Sequence, residues 1–194
     1  MKVAIVKYNA GNTASVANAL LRLGVDPVIT DEPDALRSAD KVIFPGVGEA
    51  STAMRYVHEH GLGPVVRSLT QPVLGICLGM HLMCRSSEEN DTKCLGIMPY
   101  RVRRFESETL KIPHTGWNRI SKLRSPLFEG VPDGSWVYFV HGFYVETGDD
   151  TTAITEYGQK FSAGLGHGNF HAIQFHPEKS GAVGERILAN FLKI

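Results

Sequence analysis

Two short stretches hold the residues able to do covalent chemistry. In Gly75-Ile76-Cys77-Leu78-Gly79-Met80 a cysteine follows the apolar run Val73-Leu74-Gly75-Ile76 directly, and material of helical character, Met80 to Arg85, comes after it. A strand running straight into a glycine-flanked cysteine and then a helix has the layout of a nucleophile elbow, the sharp turn that lifts a reactive side chain above a sheet. Small flanking residues suit a tight backbone that a substrate must approach closely. The unpaired N–H groups at a helix start favour a thiolate and can hold an oxyanion. The competing reading of Cys77 is a small buried residue. Cys84 and Cys94 lack the glycine setting and take that reading, and spacings of seven and ten residues match no common zinc pattern.

A nucleophilic cysteine needs a base. Among eight histidines the best placed is His176, which ends the apolar stretch Ala172-Ile173-Gln174-Phe175 and precedes Pro177-Glu178. Beside the carboxyl end of a parallel strand its imidazole would share a crevice with Cys77, and Glu178 would turn back onto the other ring nitrogen and fix the tautomer. The alternative is a polar surface turn, which Pro177 would also favour.

These residues need a scaffold, and the apolar pattern supplies one. Val3-Ala4-Ile5-Val6 reads as a buried strand, followed by a turn-like loop over 9–12. Thr13 to Leu23 reads as a helix with Val16, Ala19, Leu20 and Leu23 on one face and Gly24 at its end. Val25 to Ile29, Lys41 to Phe44 and Gln71 to Ile76 give three more strands, with helical material between Glu49 and Leu69. Strands alternating with helix-length segments indicate an α/β fold with a mainly parallel sheet. After Glu89, Tyr100 to Phe105, Trp136 to Val140, Thr152 to Thr155 and Phe170 to Phe175 are short strands punctuated by Gly, Pro and Asp, read as antiparallel or mixed sheet. A closing helix presents Val183, Ile187, Leu188 and Phe191 to the core.

Composition narrows the class. The 194 residues suffice for one hydrophobic core, so the expectation is a single domain over 1–194. At 43% hydrophobic and 21% charged residues the chain falls outside disordered and fibrous classes. Zero formal net charge argues against a general polyanion binder. Arg101, Arg103 and Arg104, with Arg119, Lys122 and Arg124 further on, read as solvated or partner-facing strand residues, not a nucleic-acid patch. No apolar run is long enough for a membrane span, Met1 to Lys7 is too short for a secretion leader, and three cysteines suit a reduced, cytoplasmic protein.

Pro72 to Met80 and Gln174-Phe175-His176-Pro177-Glu178 resemble the two signatures of class I, triad-type glutamine amidotransferases. Tyr8 with Gly11-Asn12, Pro45-Gly46-Val47-Gly48, Ser87-Glu88-Glu89, Pro113-His114 with Gly116-Trp117-Asn118, Tyr138-Phe139-Val140-His141 and Pro177 to Gly181 extend the resemblance over nearly the whole chain. They make it similar to the glutaminase subunits of imidazole glycerol phosphate synthases, of histidine biosynthesis. The resemblance implies an α/β amidotransferase fold: a central parallel or mixed sheet flanked by helices, with additional antiparallel strands. It implies a Cys77, His176, Glu178 triad, an oxyanion hole shaped by Gly46, Val47, Gly48 and the amide of Leu78, and hydrolysis of glutamine without metal or cofactor. The ammonia would pass to a separate (β/α)₈ cyclase, whose acceptor nucleotide becomes imidazole glycerol phosphate and an aminoimidazole carboxamide ribotide. Tyr138 and Lys179 are candidates for partner contact or coupling, an ordinary solvated lysine being the other reading of Lys179. His114 and Trp117 fit structural or interface use.

The chain departs from the family at His81, where glutamine commonly helps bind the substrate. An imidazole could still donate to glutamine but cannot reproduce a carboxamide's acceptor and two donors in one rotamer, so weaker glutamine binding with retained chemistry is expected. Gly142 stands where serine is usual, and Lys7 and Asn9 alter the loop around Tyr8. Two other readings remain: an amidotransferase subunit feeding a nucleotide-sugar-modifying or other synthase, and a catalytically weak interaction subunit, for which His81 is the support.

Overall fold

The apolar runs of the first half become the parallel part of one sheet. The computed structural model describes residues 1–9 and 11–194, so Ala10, inside the expected 9–12 loop, lies outside the described residues. In chain order the first half is β1 (Val3–Val6), α1 (Thr13–Arg22), β2 (Val28–Thr30), α2 (Pro33–Ser38), β3 (Lys41–Gly46), α3 (Ala50–Glu59), α4 (Leu62–Arg67), β4 (Val73–Cys77) and α5 (Leu78–Met83). The second half is β5 (Ser86–Ser87), β6 (Thr92–Lys93), β7 (Arg101–Arg104), β8 (His114–Arg119), β9 (Trp136–His141), β10 (Phe143–Val145), β11 (Thr151–Tyr157), β12 (Gln159–His167), β13 (Phe170–Ile173) and α6 (Gly181–Phe191).

The main sheet runs β2-β1-β3-β4-β13-β12-β11. Its first five strands are parallel, and β12 and β11 add on antiparallel. Every residue of β1, β3 and β4 is buried, as continuous apolar runs covered on both faces must be. The two faces separate by alternation: Ala4, Val6, Val42 and Phe44 pack with Leu36 of α2, Met54 of α3 and Val65 of α4, whereas Val3, Ile5, Ile43 and Leu74 pack with Leu20 of α1 and Ile187 of α6. A four-stranded mixed sheet, β10-β7-β5-β6, and the β8–β9 hairpin complete the fold.

Several boundaries differ from the sequence reading. The second strand begins at Val28, not Val25, and the helical stretch after Glu49 is two helices broken at the left-handed Gly61. The short α2, the hairpin strand β8 and the nine-residue β12 were not expected. β8 has only His114 buried and shows no apolar strand signature, whereas β12 buries Phe161, Ala163 and Leu165 in alternation with Ser162, Gly164 and Gly166, small residues that thin the pattern.

The sheet order positions the chemistry. β4 and β13 are parallel neighbours, with Ile76 opposite Ile173, so the residues following each strand emerge together at the carboxyl rim, where open α/β sheets bind ligands. The hairpin is tied to this rim: His176 N–H donates to the Tyr138 carbonyl at 2.9 Å, and Tyr138 N–H to Ser180 Oγ at 3.0 Å.

Candidate active site

Cys77 joins β4 to α5 with φ +52° and ψ −105°, a strained conformation for a non-glycine residue costing about 1–3 kcal/mol. The packing around it enforces the turn. Gly79 lies so close to β3 that a Cβ there would overlap the Phe44 carbonyl oxygen, and all six residues of α5 are buried. Two polar groups reach the sulfur: its S–H donates to the Val140 carbonyl at 3.8 Å, and Gln174 Nε2 donates to Sγ at 3.8 Å.

His176 and Glu178 form a pair with both side chains only 1% exposed; Nδ1–H donates to Glu178 Oε1 at 2.8 Å. Asn12, just before α1, donates its amide to the same oxygen. The carboxylate sits on a tight turn, Pro177–Lys179, against which α6 is pressed so closely that a Cβ on Gly184 would overlap the Pro177 carbonyl oxygen. With Nδ1 committed to Glu178, His176 Nε2 is buried without a hydrogen-bond partner, and Cys77 is near enough to influence its titration. Burial opposes the charged ring, but the Cys77 and Glu178 side chains together outweigh it and push the imidazole pKa up to about 10.

A cleft of about 460 Å³ opens above the sulfur. Val47, Gly48 and Leu78 line one side, and the Val140–Phe143 segment another. Gly46 does not line it; it pairs with Cys77 across β3 and β4, and a Cβ there would overlap the Tyr8 hydroxyl, which donates to the Pro45 carbonyl at 2.6 Å. Glu89 and Lys179 bring opposite charges to the rim, complementary to the zwitterionic end of an amino acid. Partial burial of Glu89 raises its pKa, against the pull of the Ala50 N–H that donates to it at 2.7 Å.

His81 lines the cleft, but the donated hydrogen bond expected from it toward substrate needs correction. Its Nε2–H donates at 2.7 Å to Gln174 Oε1. Burial lowers its pKa to about 4, so the ring is neutral near pH 7 and its other nitrogen is an acceptor. Gln174 is fully buried, and its membership of the Gln174–Glu178 signature does not by itself indicate a role. Its signal was a lone carboxamide within an otherwise apolar stretch, which buried polar groups must satisfy with partners.

Tyr138 and Lys179 meet outside the cleft floor, with the ammonium 5.8 Å from the ring centroid, and Tyr138 lies opposite Trp117 in the hairpin register. His114 belongs to a buried ladder: its Nδ1–H donates to His141 Nε2 at 3.0 Å, and His141 Nδ1–H donates to the Phe143 carbonyl at 2.7 Å. Burial depresses both histidines, His114 to about 4 and His141 well below its ordinary value. Within the arginine cluster, Arg101 and Arg103 pair with Glu88 at 3.4 and 3.3 Å, Arg103 also with Glu146 at 3.5 Å, and Arg104 meets Glu88 through its backbone N–H.

The family described as glutamine amidotransferase class-I matches residues 4–194. Among curated proteins, the chain is 57% identical to the imidazole glycerol phosphate synthase subunit HisH of Bacteroides thetaiotaomicron, with all of both chains covered. It is 43% identical to the same subunit of Shewanella sediminis, over 98% of this chain and 89% of that one. Among solved structures, a glutamine amidotransferase superposes with a TM-score of 0.76 at 20% identity, covering 98% of this chain and 97% of that one. The structure titled PurLQS, from Thermotoga maritima, superposes at 0.74 and 18% identity, covering 99% and 97%. At these identities the structural likeness speaks for the fold.

Proposed function

Because the chain belongs to the class I glutamine amidotransferase family, we propose that it is the glutaminase subunit of an imidazole glycerol phosphate synthase, hydrolysing glutamine to glutamate and ammonia for histidine biosynthesis. The observation that carries the reading is the buried Glu178–His176 pair, its imidazole pKa raised by the sulfur at the floor of the cleft.

The reaction follows from the geometry as an acyl transfer. The Cys77 thiolate attacks the side-chain carbonyl carbon of glutamine; a C–S bond forms and the carbonyl electron pair moves onto oxygen. That oxygen is received by backbone N–H groups of Leu78 and of the Val47-Gly48 segment, each contributing about 2.7–4 kcal/mol at the transition state. His176 passes its Nε2 proton to the amide nitrogen, the C–N bond breaks and ammonia leaves. Neutral His176 then takes a proton from water, whose oxygen attacks the thioester and releases glutamate and the thiolate. Glu178 holds Nδ1–H throughout, so that Nε2 stays turned to the sulfur. Glu89 and Lys179 take the ammonium and carboxylate ends of the substrate, and His81 contributes an acceptor to the cleft wall.

The domain over 1–194 works as one unit, its first and last strands sharing a sheet. The partner is a (β/α)₈ cyclase that holds the acceptor nucleotide and consumes the ammonia. We assign its docking to the outer face of the β8–β9 hairpin, where Trp117 and Trp136 are about half exposed beside Tyr138 and Lys179. None of the described helices is long and apolar enough to cross a membrane, and with three free cysteines the proposed location is the cytoplasm.

Glutamate release by the purified chain, measured with and without the cyclase and its nucleotide, tests the proposal. Cys77→Ala abolishes release, a loss of at least about a thousandfold, while binding to the cyclase is kept. Release that survives Cys77→Ala removes the thiolate mechanism.

A further inference from the structure

Gln174 occupies a place that no step above uses. It is fully buried just beyond β13, between Ile173 and Phe175, and both ends of its carboxamide are engaged. Oε1 accepts the Nε2–H of His81 at 2.7 Å, and Nε2 donates to the Cys77 sulfur at 3.8 Å. We propose that Gln174 is a second donor to the catalytic sulfur, kept in its donating orientation by His81, and that it holds Cys77 as a thiolate ready to attack. The inference rests on the glutaminase reading for its consequence, though its geometry is independent of the substrate.

The chain of donors has a direction. With hydrogen on His81 Nε2, the carboxamide must turn its oxygen toward His81. The reversed amide would set donor against donor there and aim an oxygen at the sulfur, repelling a thiolate. The other contact of the sulfur, the Val140 carbonyl, is an acceptor and serves only the S–H form. Two other polar side chains of the site, Tyr8, whose titration Cys77 influences, and His141 of the cleft wall, have their hydrogens committed elsewhere. The Tyr8 hydroxyl donates to Pro45, and His141 donates to Phe143 while accepting from His114. Among the described residues, with Lys179 at the rim engaged by the Tyr138 ring, His176 and Gln174 are the side-chain donors shown to act on the sulfur. His176 gives its proton to the departing ammonia, whereas the Gln174 N–H is never transferred. It is therefore in place both when the thiolate attacks and when it leaves from the thioester.

The role assigned to His81 changes accordingly: it is a positioning residue acting through Gln174. A glutamine at 81 can donate an amide N–H to the same Oε1, so the two residue types are equivalent at this position in the one respect the mechanism needs.

The test is the rate of Cys77 alkylation by iodoacetamide from pH 5 to 10, followed by mass spectrometry of the Cys77 peptide, with glutamate release measured beside it in the presence of the cyclase. Gln174→Leu, close in volume, is expected to slow alkylation at pH 7 about tenfold and to move the midpoint of the pH profile up by about one unit. It lowers kcat in parallel, with KM within about twofold. His81→Leu shifts the profile in the same direction by a smaller amount, and His81→Gln returns it to that of the unmodified chain. An unchanged alkylation profile in a natively folded Gln174→Leu protein overturns the proposal, as does a rise in KM at constant kcat. If Gln174→Leu does not fold, the His81→Leu and His81→Gln pair decides, and identical profiles for His81→Leu and the unmodified chain overturn it. Absence of glutamate release from the unmodified chain with its cyclase would instead sink the glutaminase reading, while the alkylation profiles still judge Gln174.

Discussion

At the scale of single residues, the protein divides its histidines into opposite electrostatic roles. His176 is held charged by Glu178 and Cys77, its pKa raised to about 10. A raised folded-state value contributes stability that is complete below the ordinary histidine value near 6.5 and is lost as pH climbs through 10. His81 and His114 are held neutral by burial, each near 4, and His141 is depressed further. For these the folded state binds fewer protons than the unfolded chain, so stability falls as pH drops below about 6.5. Chemical denaturation at pH 7 and pH 5 is expected to show a loss of roughly 2 kcal/mol for each of His81 and His114 over that interval. Equal denaturation midpoints at the two pH values would mean these rings are not held neutral. The neutral ladder has a structural purpose: His114 stacks between Phe139 and Tyr157, with centroids at 4.9 and 4.0 Å, and through His141 braces the segment that walls the cleft.

Among the elements, two glycines let backbone press on backbone beside the proposed triad. α5 lies on β3 at Gly79, and α6 lies on the Pro177–Lys179 turn at Gly184. The first was legible, because a glycine two residues after a strand-end cysteine has a known reason to be there. Gly184 was not, since one glycine inside an apolar-faced helix gives no sign of what it touches. Gly184→Ala must lift α6 from the turn that carries Glu178. It is expected to destabilise the protein by about 1–3 kcal/mol and to lower kcat several-fold, with substrate KM little changed. Thermal melting together with glutaminase kinetics checks this, and a melt that falls with no change in kcat would detach the helix from the triad. β8 and β12 escaped the sequence reading for different reasons: β8 is satisfied by its neighbour's hydrogen bonds and has no apolar face, whereas β12 buries Phe161, Ala163 and Leu165 but interleaves them with glycine and serine, which weakens its alternation.

For the whole molecule, a chain of zero net charge has little long-range field with which to steer a partner, and recognition falls to shape and apolar contact. On the proposed docking face Trp117 is 53% and Trp136 50% exposed, the latter covered in part by the Arg119 guanidinium 4.9 Å from its ring. Trp117→Ala is expected to weaken cyclase binding by at least about 2 kcal/mol, roughly thirtyfold, with the melting temperature and Cys77 alkylation unchanged. Calorimetric titration with the cyclase reads this directly; unaltered affinity would move the docking surface elsewhere.

The amino-acid sequence alone determined the parts of this protein whose physics is local. A glycine-bracketed cysteine at a strand end, a histidine two residues before a glutamate on a proline turn, and buried strands written as unbroken apolar runs each state their structure within a few residues. Only the tertiary structure decided which of these parts meet. His81 reaches Gln174 across 93 residues of chain because β4 and β13 are neighbours in one sheet, and Asn12 reaches Glu178 across 166 because α1 packs against the Pro177–Lys179 turn. A pattern along the chain tells which face of an element is apolar, whereas the partner of a buried polar group depends on which other element the fold brings against it.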